Sequence, residues 1–144
     1  MKTNIFIAVL FCILFSSCKS ANKSAHTNEK QKLEGEWELN YINYPQQKLQ
    51  ELYSRGVPFI RLDMKQNTIR GNNGCNSFTG KFNISGNKIS FKGPMTATKM
   101  YCEGEGEPIF MQNLDNTESF TISKDGKTLQ FIKGGILLMR FIKK

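Results

Sequence analysis

Apolar side chains recur at every second position in short runs, turn-forming residues separate the runs, and long helical periodicity is nearly absent. Because a strand sends successive side chains to opposite faces, runs of this kind dictate half-buried antiparallel strands. Trp37, Leu39 and Tyr41 alternate with Glu36, Glu38 and Asn40, which predicts a first strand with one buried and one wet face. Phe59 to Met64 form the next run and turn through Lys65-Gln66-Asn67 into Thr68-Ile69-Arg70. Phe78, Phe82 and Ile84 point one way from a strand whose Thr79, Lys81 and Asn83 point the other. Ser85-Gly86-Asn87 then makes a tight hairpin into Lys88–Phe91, glycine tolerating the positive φ such turns demand. Near the end, Phe120–Ile122, Thr128–Phe131 and Ile136–Ile142 make a three-stranded meander, with turns at Lys124–Lys127 and Lys133–Gly135.

The last of these strands is apolar on both faces, which places it centrally, one face inward and the other largely covered by a helix or loop. Two segments could supply the cover. Gln46 to Ser54 sets Leu49, Leu52 and Tyr53 at helical spacing, and Glu107 to Asp115 has Pro108 in its first turn with Ile109, Phe110 and Leu114 on one side. The expected fold is mostly β (α+β): a small antiparallel β-barrel or strongly curved sheet with one or two short helices, closure removing exposed edges.

The N-terminus has a different character. Lys2, the apolar stretch Ile5–Phe15 and the small residues Ser16 and Ser17 have the shape of a secretory signal, too short for a membrane span of about 20 apolar residues. Phe15-Ser16-Ser17-Cys18 resembles a bacterial lipobox, with Phe15 where Leu is usual. That resemblance implies a signal peptide over 1–17, removal of Cys12 with it, and a lipid-bearing Cys18 that anchors the chain to a membrane. Residues 18–32 then form a flexible tether, since Lys19–Lys32 carries no aromatic or large aliphatic side chain to bury. Lys19 instead of Asp after the anchor implies an outer-membrane lipoprotein facing the periplasm. The remainder, 33–144, is long enough for one domain. The net charge of +8 is spread along the chain without clustering, which points to a solvated surface and not to nucleic acid.

Gly71-Asn72-Asn73-Gly74-Cys75-Asn76-Ser77-Phe78-Thr79-Gly80 and Thr96–Cys102 resemble the two signature segments of the META domain, the HslJ-like family of bacterial envelope proteins. Leu33–Leu39 looks like the family's opening strand, Phe110–Leu114 its late helix and Leu138–Phe141 its closing strand. The motif positions carried over are Gly74, Cys75, Asn76, Phe78, Gly80, Thr98 and Cys102. The resemblance implies a mostly β barrel-like fold and a disulfide between Cys75 and Cys102, worth about 3 to 4 kcal/mol on the chain-entropy model. A metal site or a redox pair stands beside it as an alternative, although a metal would want further ligands and the one histidine is His26, and redox pairs are usually C-x-x-C.

Other chemistries are weakly marked. The Gly and Asn residues around Cys75 could cradle an anion, but a tight bend at a barrel corner suits them better. Glu103, Glu105 and Glu107 lack the spacing of a calcium loop, and Met95, Met100, Met111 and Met139 form no cluster for copper. With the sole histidine in the tether, no Ser-His or Cys-His pair has a base, and nothing singles out Asp63, Glu103 and Asp115 as paired carboxylates. The expectation is therefore a monomeric, non-enzymatic envelope protein without cofactor, metal or nucleic acid, supporting envelope integrity or stress tolerance by binding another envelope component. The family's heat-shock and drug-tolerance associations are what the resemblance implies. The alternative is a barrel that holds a small apolar ligand in its interior.

Overall fold

A computed structural model describes residues 31–44 and 48–144. The signal region, Cys18 and nearly all of the tether lie outside the described residues.

The runs with period two form the expected strands: β1 (Gly35–Ile42), β2 (Phe59–Asp63), β3 (Thr68–Asn72), β4 (Ser77–Lys81), β5 (Asn83–Ser85), β6 (Lys88–Ser90), β7 (Met95–Ala97), β8 (Ser119–Ile122), β9 (Thr128–Lys133) and β10 (Ile136–Lys143). Two helices, α1 (Leu49–Leu52) and α2 (Gly106–Asp115), interrupt them. All pairings are antiparallel, in the order β5-β6-β8-β9-β10-β1-β2-β3-β4-β7. β4 and β5 stand near opposite ends of that order, yet only Phe82 separates them. One long hairpin explains this: β4 pairs with β7 and β5 with β6 across a shared corner, so the hairpin spans both ends of the sheet and curls it towards a barrel. The mostly antiparallel, strongly curved sheet is the architecture that the alternation predicts.

Two details differ from the alternation. Leu39 faces Phe141 and Tyr41 faces Arg140, so Asn40 is an extra residue in β1, and Leu138 is likewise extra in β10. A bulge reverses the phase of the strand beyond it and sharpens its bend. Tyr41, expected inside, is accordingly exposed beneath the Arg140 guanidinium, while Ile42 turns into the core. In β10 the bulge buries the consecutive residues Leu138 and Met139. The outer face of β10 is not covered as expected: Ile136 is 61% and Ile142 40% exposed. Apolar residues on both sides of this strand reflect the bulge, not a second layer.

The helix α2 packs on the concave side instead. Its Ile109, Phe110 and Leu114 are buried, as the helical spacing predicts. Phe82, Phe91, Phe131, Phe141, Phe110 and Phe78 make a continuous run of tilted and edge-on rings, centroids 5.2 to 6.5 Å apart, that fills the space between sheet and helix. Each fully buried ring contributes about 1.5–3 kcal/mol. The interior that a small apolar ligand would need is thus occupied by the chain's own side chains, and the ligand-holding alternative loses its room. The start of the domain is tied into the core. Residues 31–33 are helical, Leu33 is fully buried, and its carbonyl accepts the Trp37 indole N–H at 2.9 Å.

Candidate functional site

The two signature segments meet at one end of the barrel, between β3, β4 and the start of α2. Short asparagine side chains accept hydrogen bonds from nearby backbone N–H groups and so hold tight turns. Asn72 Oδ1 accepts from Gly74 N–H at 2.8 Å, and Asn73 Oδ1 accepts from Cys75 and Asn76 N–H at 3.1 and 2.7 Å. Gly74 lies at φ +94°, and a Cβ there would come within 2.4 Å of the Tyr53 ring, so both conformation and space require glycine. These bonds consume the backbone donors that an anion cradle would offer, and the segment is a braced corner.

Asn76, 2% exposed, reaches across to the second segment and to the helix. Its Oδ1 accepts from Thr98 Oγ1 at 2.7 Å and Met100 N–H at 2.8 Å. Its Nδ2 donates to Met100 C=O at 3.1 Å and to Glu107 at 2.9 Å, and Asn73 Nδ2 donates to the other Glu107 oxygen at 3.1 Å. The Glu107 carboxylate, in the first turn of α2, also gains from the helix dipole. Cys75 is joined to Cys102 by a disulfide, Cα atoms 5.9 Å apart. The remaining motif residues are structural contacts too: Phe78 meets the Phe110 ring at 5.9 Å, and a Cβ on Gly80 would lie 2.7 Å from Met95, on the neighbouring strand β7.

Sequence reading missed Glu107 as the partner of both asparagines, and Gly106, buried where a Cβ would lie 2.5 Å from the Leu52 carbonyl. An acidic residue before Pro108 at a helix start was a visible cue; its partners, more than 30 residues upstream, were not. The other carboxylates diverge. Glu105 accepts the Tyr44 hydroxyl at 2.7 Å, Asp63 caps its own turn at the far end of the barrel, and Glu103 is exposed. Among the described residues no group of three or more His, Cys, Asp or Glu side chains is placed to hold a metal. The described hollows open at the surface: one of about 640 Å³ between Arg70, Thr79 and Thr96, one of about 560 Å³ between β5–β6 and β8, and one of about 50 Å³ beside the disulfide.

The model of the META domain matches residues 30–143. The chain belongs to the META domain family. The matched span includes the whole of the braced corner just described. No curated protein matches the chain. Solved structures share the fold of this META domain, among them the following. A protein from Burkholderia xenovorans, solved by NMR, matches with a TM-score of 0.57 at 18% identity, covering 90% of this chain and 92% of that one. A second NMR structure matches at 0.56 and 17%, covering 80% and 93%. A DUF4847 family protein from Bacteroides vulgatus matches at 0.54 and 14%, covering 81% and 97%. At these identities the likeness is one of fold alone.

Proposed function

We propose that this META-domain protein is a non-enzymatic outer-membrane lipoprotein of the HslJ-like kind, anchored through Cys18 and facing the periplasm. It supports envelope integrity or stress tolerance by binding another envelope component. The observation that carries the reading is where the signature's polar atoms go. Asn73, Asn76, Thr98 and Glu107 spend their hydrogen bonds on one another and on nearby backbone, and among the described residues no buried side-chain nitrogen or oxygen lacks a partner. Here these groups brace two loops and a helix. The apolar run that ends at Ser16-Ser17-Cys18 supports the address.

Crosslinking in intact envelopes followed by recovery of the acylated protein tests the reading, with a Cys18→Ala form as control. A defined partner recovered with the acylated form and lost with the control is the expected result. If neither form recovers a reproducible partner, the binding role is wrong.

A further inference from the structure

The chain enters its domain between two lysine-bearing turns. Lys32 Nζ donates to the Lys124 carbonyl at 3.3 Å in the β8–β9 turn, and Glu34 accepts from Met64 N–H at 2.7 Å in the β2–β3 turn, so residues 32–34 are flanked by both. Two more cations are drawn to this end. Lys81 Nζ donates to the Gln66 carbonyl at 3.1 Å, and Lys143 Nζ to the Lys32 carbonyl at 3.0 Å. Lys65, Lys81, Lys124 and Lys127 are exposed. The carboxylates here are Glu34, Glu36, Glu38, Asp63 and Asp125. Glu36 and Glu38 are matched by Arg61 and Lys144, and Asp63 and Asp125 also accept from N–H groups of their own turns. Six lysines therefore oppose the three remaining carboxylates. The opposite end, with the disulfide, mixes Glu103, Glu105 and Glu118 with Arg55, Lys99 and Lys133 and has no comparable cluster of lysines among the described residues.

We infer that the tether-side end of the barrel docks on anionic phospholipid headgroups and holds the disulfide end away from the bilayer. The inference rests on the Cys18 anchor for bringing the domain to a membrane. The segment leading to Cys18 leaves from the basic end, so anchor and lysines reach the bilayer together. Lysines within a Debye length, about 8–10 Å, of an anionic surface are attracted to it, and each strengthens the contact about fivefold. The far end mixes acids and cations without such a cluster and lies away from the tether, so one orientation is favoured.

Labelling of the acylated full chain in proteoliposomes tests this. An amine reagent that does not cross membranes is applied in vesicles of phosphatidylglycerol mixed with phosphatidylcholine and in vesicles of phosphatidylcholine alone, and mass spectrometry reads each lysine. Lys65, Lys81, Lys124 and Lys127 are expected to be protected severalfold only with phosphatidylglycerol, while Lys99 and Lys133 label alike in both. Protection disappears in about 0.5 M salt, and Lys65→Gln or Lys124→Gln each weakens it at the remaining lysines about fivefold. Equal labelling of the two ends with phosphatidylglycerol, or protection of Lys99 and Lys133 instead, overturns the inference. So does equal protection by inorganic phosphate without vesicles, which would mark a free-anion site. A chain that fails to float with phosphatidylcholine vesicles counts against the anchor alone; one that floats with neither composition overturns the docking face as well.

Discussion

Asn76→Ala would strip Thr98, Met100 and Glu107 of a shared partner in a place that water reaches poorly. Unpaired buried groups cost about 1–3 kcal/mol, so a loss of about 2–4 kcal/mol is expected for the network, read as a lower urea midpoint with an unchanged slope. A midpoint within error of the parent would mean that water replaces the side chain. Tyr53 gives a second test, one that depends on pH. Burial holds its phenol well above the ordinary value of 10, while its hydroxyl donates to the Gly106 carbonyl at 3.0 Å. The folded chain keeps this proton where the unfolded chain has lost it. The contribution is therefore whole below about pH 10 and declines as the pH rises above it. Tyr53→Phe should cost about 1 kcal/mol at neutral pH and flatten that alkaline decline in the urea midpoint; an unchanged decline assigns it to other groups. At this scale Cys75, Asn76 and Phe78 were visible in the sequence as a pattern, and Glu107 was not, because a hydrogen-bond partner far along the chain leaves no local mark.

Among the elements, the brace ties α2 and the second signature loop to the corner at Cys75 and Asn76. Phe110→Ala opens a cavity between the rings of Phe78 and Phe141 and should cost about 3–5 kcal/mol in chemical denaturation. A cost below about 1 kcal/mol would show that the helix collapses onto the sheet without the ring. The disulfide spans 27 residues. Joint Cys75→Ala and Cys102→Ala substitution should lower stability by about 3–4 kcal/mol, mainly by freeing the unfolded chain. The strands were legible because period two is a local property of neighbouring residues. The bulges at Asn40 and Leu138 were not, since each exists only relative to a paired strand, and they are why Tyr41 and the outer face of β10 depart from expectation.

For the whole molecule, one ring-filled core implies one cooperative transition. Trp37, the single tryptophan, is fully buried, its indole bonded to Leu33 and its ring beneath the Lys143 ammonium at 4.9 Å. Its fluorescence and the far-ultraviolet circular dichroism should change together during unfolding; separated transitions would divide the domain into independent units. Sequence alone determined the class of fold, the run of antiparallel strands, the apolar face of α2 and the corner chemistry of the Gly and Asn residues around Cys75, all of which follow from side chains close together along the chain. Only the tertiary structure decided that one bent hairpin joins the ends of the sheet, that rings and not a ligand occupy the interior, and that Glu107 closes the signature. Those depend on which distant segments come into contact, and the rewards of contact are shared between residues that the sequence lists far apart.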